Sequence, residues 1–265
     1  MPLTVAGLRF CVAALLLAPF AAGKWNAIRS FPPRLWLRLF LLGLCAYAVG
    51  NSAVFWSLRY LPATTVSFVM SLSPLLVLAA SVRWLKERPT ALQGIGVIVT
   101  LAGGGLFFSP GWGAGNPAAL GVVAAGLVAF STFGILGREI ARDRQMDTLA
   151  LTLIPLAFGG TLLLIAAAQT EGPIHLPIVA WAIVLWLGVI NTALAYLLYN
   201  HSLQVLTALE MNTLLNLSSL GTSGFAWLLL GEGLSGARLA GLVIVVVGVS
   251  LVQGKGRAGG ANTIA

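Results

Sequence analysis

The chain has 265 residues, of which 58% are hydrophobic and only 8% charged, and it carries a formal charge of +8 at pH 7. Globular domains carry about a quarter charged residues, so this composition excludes an ordinary water-soluble fold and places the chain in lipid. The basic excess needs no nucleic acid, because cytoplasmic loops of membrane proteins supply it; Cys11 and Cys45 lie inside apolar runs without paired Cys or His spacings, so neither a metal, a disulfide nor any cofactor is expected.

About 20 apolar residues cross a hydrocarbon core roughly 30 Å thick. The runs here are continuously apolar rather than alternating, which predicts helices and not a barrel. The first run, 3–22, has small residues at Ala18 and Ala21 that resemble a signal-cleavage region. It lacks a basic stretch before the apolar core and holds Arg9 within it, which favours a mature transmembrane helix. Pro32 and Pro33 separate it from 34–58, and 63–85 follows. The turn Lys86-Glu87-Arg88-Pro89 introduces 89–108, and Ser109-Pro110-Gly111 with Asn116-Pro117 closes the first half. Then come 117–138, 147–168, 177–200, 207–230 and 235–253, nine segments in all. Trp25, Trp36, Trp181 and Trp186 fall where an interfacial aromatic belt is expected. The Gly-rich tail 255–265 reads as disordered and cytoplasmic.

Sliding the chain by 145 residues against itself exposes a repeat. Ser57 meets Ser202, Ala63 meets Ala208, Ser73 meets Ser218, Glu87 meets Glu232, Gly96 meets Gly241 and Gly103 meets Gly248. The last four segments map onto the first four, whereas 117–138 maps onto positions before Met1. The expected unit is therefore five helices: a first repeat over 1–109 that lacks its first helix, and a complete second repeat over 116–254.

Lysines and arginines give the orientation. One side collects Lys24, Arg29, Arg34, Arg38, Arg83, Lys86, Arg88, Arg138, Arg142, Arg144, Lys255 and Arg257, the other only Arg59 and Arg238. Twelve against two puts the first side, and the C-terminus, in the cytoplasm of a multi-pass inner-membrane protein. Because five is odd, the second repeat enters from the opposite face. The fold expected is an all-α polytopic membrane protein, with nine transmembrane helices from an inverted five-plus-five repeat. Inverted repeats place a substrate site near the midplane between them and support alternating access, so transport is the favoured activity.

The stretch Leu8-Arg9-Phe10, the run Ser71-Leu72-Ser73-Pro74-Leu75 followed by Glu87 and Gly96, and the run Leu217-Ser218-Ser219-Leu220 followed by Gly231-Glu232 and Gly241 resemble the EamA branch of the drug/metabolite transporter superfamily. The resemblance covers nearly the whole chain. It implies a ten-helix carrier with both termini in the cytoplasm, exporting amino acids, related metabolites or toxic compounds. Two departures stand out: Ser219 replaces the proline seen at Pro74, and the family's first helix has no counterpart here.

Candidate substrate residues follow from polar groups inside apolar runs. The repeat superposes Ser67, Ser71 and Ser73 on Asn212, Asn216 and Ser218, and each first pair is one helical turn apart on a shared face. Such groups either line a cavity or hydrogen-bond neighbouring helices. Tyr47 and Asn51 in one segment, and Tyr196 in its equivalent, offer flat rings and polar tips for a small-molecule substrate. Tyr199, Asn200 and His201 are nearer a helix end and read as interfacial. Glu210, an acid within an apolar run, is a candidate for proton coupling or a helix cap. Arg9 either snorkels outward or meets substrate; Glu87 and Glu232 read as caps. The Gly96/Gly103 and Gly241/Gly248 faces suit close packing, with a homodimer contact as one use.

An exporter of small organic metabolites is the function expected. An intramembrane enzyme is disfavoured, since His175, His201, Asp143 and Asp147 lie in loops or near a helix end and form no catalytic set. A third reading is a truncated, transport-incompetent membrane protein that still inserts.

Overall fold

The computed structural model describes residues 2–109, 116–143, 146–173, 176–218 and 235–253. Among these residues there are helices and no strands. They form α1 (Pro2–Ala21), α2 (Pro33–Ser57), α3 (Ala63–Ser71, Ser73–Ala80 and Ser81–Leu85), α4 (Ala91–Phe108), α5 (Pro117–Arg142), α6 (Thr148–Thr170), α7 (Ile178–Ser202), α8 (208–218) and α9 (Gly236–Gln253). Eight helices among the described residues are long and apolar enough to cross a membrane. α8 is the start of the expected segment 207–230, whose remainder lies outside the described residues, as do Arg144, His175, Ser219, Glu232, Lys255 and Arg257. Leu15, Phe20, Ile98, Ile178 and Trp186 are each more than 60% exposed. Large apolar side chains in such positions need lipid to cover them, so the chain is a multi-pass membrane protein.

Proline starts several of these helices, because its fixed φ suits the first turn and its missing N–H costs nothing there. Pro33 and Pro117 open α2 and α5, and Pro62 and Pro177 immediately precede α3 and α7. α4 starts differently: Thr90 Oγ1 accepts the Gln93 N–H at 3.2 Å and Gln93 Oε1 accepts the Thr90 N–H at 2.9 Å, a capping box. The cap of α4 is thus Thr90, a correction to the reading of Glu87. The Glu87 N–H instead closes the end of α3 on the Ser81 carbonyl, after Lys86 has turned to φ 53°.

Three helices depart from plain α geometry. α3 breaks at Leu72, two residues before Pro74, whose ring cannot continue the hydrogen-bond ladder of the preceding turn. α2 and α7 each contain a π-helical stretch, Leu44–Gly50 and Leu187–Leu194, at equivalent positions of the 145-residue repeat. Wide turns leave carbonyls poorly paired, and side chains five residues on answer them. Asn51 Nδ2 donates to Ala46 O at 2.8 Å, and Thr192 Oγ1 to Leu187 O at 2.9 Å.

The chain divides into two compact units. The first comprises residues 1–56 and 136–205. Here α1 packs on α6, where Gly160 admits Phe10 and Cys11 and Gly7 admits Leu164. α2 crosses α6 equally closely, since a Cβ on Gly43 would fall 2.5 Å from the Pro155 carbonyl oxygen. α5 runs four residues past its expected end, and Arg138 is buried with Nη1 donating to Leu203 O at 2.6 Å.

The second unit comprises residues 57–135 and 206–265. Its tightest crossing joins α4 to α9. A Cβ on Gly96 would meet Gly248 O and one on Gly103 would meet Gly241 O, each at 2.8 Å. Residue numbers rise on one helix as they fall on the other, so the two run antiparallel. The glycine faces are therefore occupied within one chain, which corrects the homodimer contact assigned to them. Val77, Val97, Leu209 and Val252 form a core beside this crossing, and Phe107, Phe108, Val245 and Val249 another.

Candidate functional site

In the first unit, three helices bring aromatic rings together. α1 supplies Phe10, the π-helical stretch of α2 supplies Tyr47, and α7 supplies Tyr196 just after its own π-helical stretch. The Phe10 and Tyr47 rings are 4.8 Å apart, and Tyr47 meets Tyr196 edge-on at 5.0 Å. Tyr47 and Phe10 are fully buried while Tyr196 is half-buried. Arg9 places its guanidinium carbon 4.6 Å from the Phe10 centroid, within the range of a cation–π contact. Asn51, expected beside Tyr47, spends its amide N–H on the α2 backbone and keeps its carbonyl oxygen.

The last turns of α7 are largely buried against the protein. Tyr199 is 8% and Asn200 2% exposed, and Asn200 Nδ2 donates to Thr152 Oγ1 on α6 at 2.9 Å. α7 thus ends against α6, which covers these side chains although they lie near a helix end. His201 alone of that group is exposed.

In the second unit the polar groups satisfy one another. Ser73 Oγ donates to Asn212 Oδ1 at 3.0 Å and lies 3.2 Å from Ser131 Oγ, while Asn212 Nδ2 donates to Ala208 O at 2.9 Å. This knits α3, α5 and α8. One turn further on, Asn216 Nδ2 donates to Ser71 O at 3.2 Å, and Ser71 Oγ to Phe68 O at 2.7 Å. Ser71, Thr100 and Asn216 line a cavity of about 10 Å³ walled by Phe107 and Phe108, room for about one water molecule. Ser67 is half-buried a turn before Ser71 and is not drawn into this network among the described residues.

Glu210 is 5% exposed. Its Oε2 accepts the Thr207 N–H at 2.9 Å while Thr207 Oγ1 accepts the Glu210 N–H at 3.2 Å, a second capping box. Gln93 Nε2 approaches Oε1 at 3.5 Å, and Gln253 Nε2 donates to the Glu210 carbonyl at 3.1 Å. Sequence reasoning missed Gln93, Gln253, Ser131 and Thr152 as partners. The Thr-x-x-Gln and Thr-x-x-Glu spacings that make the caps were readable.

Beyond the end of α6, Glu171 Oε2 accepts the Thr4 N–H at 2.9 Å and the Thr4 hydroxyl at 2.7 Å, and Oε1 accepts the Leu3 N–H at 3.0 Å. Partial burial raises the pKa of this carboxyl, but the hydrogen bonds from Thr4 and Leu3 outweigh it and hold the group below the ordinary glutamate value.

The profile of the EamA-like transporter family matches residues 1–109 and 117–253. The chain belongs to the EamA-like transporter family. Relatives of this family include Protein PecM of Dickeya dadantii, 30% identical over 85% of this chain and 76% of its own length. The S-adenosylmethionine/S-adenosylhomocysteine transporter of Chlamydia trachomatis serovar L2 is 25% identical over 95% of this chain and 80% of its own. The uncharacterized inner membrane transporter YedA of Escherichia coli K12 is 27% identical over 94% and 78%. A crystal structure sharing 18% identity superposes with a TM-score of 0.79, covering 97% of this chain and 88% of the other, and so shares the fold.

Proposed function

We propose that this EamA-like protein is a secondary carrier that exports small organic metabolites, amino acids or their derivatives among them, across the inner membrane by alternating access, with its C-terminus in the cytoplasm. The observation that carries the reading is the cluster of Phe10, Tyr47 and Tyr196, with Tyr47 inside one π-helical stretch and Tyr196 just after the other, where wide turns commonly serve function. Rings at such spacing offer stacking faces to a substrate. Tyr47 and Tyr196 are then the recognition pair, with the Asn51 carbonyl oxygen beside them. Ser71 and Asn216 contribute through the small cavity of the second unit, whereas Asn212 and Ser73 tie helices together.

The inverted-repeat reading draws support from the antiparallel crossing of α4 and α9, equivalent helices under the 145-residue shift, and from the two stretches matched by the family profile. The chlamydial relative is named for a methionine derivative, which supports a substrate with an amino-acid end. Everted vesicles carrying the protein test the reading directly. Uptake of at least one member of a panel of amino acids and organic cations is expected; no uptake by folded, inserted protein contradicts it.

A second reading concerns energy coupling. Glu210 is a buried acid within a membrane segment, its carboxylate facing Gln93, and such groups are candidates for proton transfer. Glu210→Gln is then expected to flatten the pH dependence of uptake. An unchanged pH profile leaves Glu210 as a cap alone.

A further inference from the structure

The arrangement around Arg9 goes beyond a stacking site. Arg9 lies inside α1, a helix long and apolar enough to cross a membrane. Its Nε is buried and has no hydrogen-bond partner among the described residues. The guanidinium rests on Phe10, whose ring lies 4.8 Å from that of Tyr47. The π-helical stretch of α7 closes against the same turn, since a Cβ on Gly188 would lie 3.3 Å from the Arg9 carbonyl oxygen.

A cation inside a membrane-spanning helix calls for an anion, and the first unit offers none among its described residues. Its described acids are all engaged elsewhere: Glu139 with Arg38 at 3.4 Å, Asp147 with Lys24 at 2.6 Å, Asp143 with Arg142 at 3.6 Å, and Glu171 with Leu3 and Thr4. Arg9 is half-buried, and enclosing even part of a charged group without a counter-ion is costly, so an intramembrane arginine is retained where a partner arrives. Guanidinium suits a carboxylate because its N–H groups form parallel bonds to both oxygens.

We propose that Arg9 is the anion-recognising residue of the site and that the substrates carry a carboxylate, which supplies the missing counter-ion while the rings of Phe10, Tyr47 and Tyr196 take the body of the molecule. The proposal rests on the transporter reading. It selects amino acids and other organic acids over the corresponding amines.

Matched pairs separate the two claims: phenylalanine against phenethylamine, and methionine against its decarboxylated amine, each followed by ligand-dependent thermal stabilisation of the purified protein and by vesicle uptake. The wild type should bind the acids at least about tenfold more tightly, the size of a charge-assisted pair. Arg9→Gln should remove that preference while leaving amine binding within about twofold, and Arg9→Lys should keep part of it. Without ligand, Arg9→Gln should melt no lower than wild type, because it deletes an uncompensated charge; a lower melting temperature with acid preference intact marks a structural arginine and overturns the proposal. Transport of panel members without any preference for acids overturns it while leaving the carrier reading in place. Neither binding nor uptake of any member overturns both.

Discussion

The two units use polar residues inside apolar helices in opposite ways. In the second unit, Ser73, Ser131 and Asn212 satisfy one another across α3, α5 and α8. In the first, rings gather beside a cation whose Nε has no partner among the described residues. Residue type alone would rank Asn212 above Phe10 as a site residue, yet what separates framework from site is whether a group's bonding capacity is already used inside the protein. A satisfied amide holds helices together.

The comparison breaks most severely at the α4–α9 crossing. Gly103→Val puts methyl groups where even a Cβ would meet Val245 N at 2.7 Å and Gly241 O at 2.8 Å, both backbone atoms that cannot swing aside. A loss of about 3 kcal/mol is expected in thermal unfolding. Gly94→Ala, with nothing within 4 Å of the new Cβ, should instead gain up to about 1 kcal/mol. Next in size is Asn212→Ala, which strips Ser73 of its acceptor. It should cost about 1 kcal/mol in the same assay while leaving transport within about twofold.

Smaller again is Glu171→Gln. The carboxyl is held below its ordinary value, so its contribution is complete above a pH of about 4.5 and is lost as pH falls through the depressed pKa of the folded protein. Glu171→Gln should therefore lower the melting temperature at pH 7, by no more than about 1 kcal/mol for a group so open to solvent. The difference from wild type should close below pH 4.5. Asp147→Asn removes an exposed pair with Lys24 and should cost less than about 0.5 kcal/mol, an effect erased by salt.

Much of the fold was legible in the sequence, because a continuous apolar run between Pro, Gly and charge has few alternatives in lipid. α1, α4, α6 and α9 follow the expected segments within two residues. Two things were not legible. The π-helical stretches of α2 and α7 have no residue signature, since Leu-Cys-Ala-Tyr and Leu-Gly-Val-Ile propagate α-helix equally well. Depth also does not follow from distance to a helix end: Asn200 is two residues from the end of α7 and almost wholly buried because α6 covers it. The glycine faces were visible, but a spacing says only that something packs closely and not what. That Tyr47 and Tyr196 would touch was likewise beyond a single sequence, although the repeat placed both on equivalent helices.

The most direct test of recognition in the first unit compares Tyr196→Leu with Asn212→Ala for uptake by everted vesicles, at matched amounts of folded protein. Leucine keeps the apolar volume at position 196 and removes the ring and its hydroxyl. The account predicts that Tyr196→Leu falls below about a tenth of wild-type uptake while Asn212→Ala, despite its lower melting temperature, stays above half. The reverse order, or equal uptake by both variants, would contradict it.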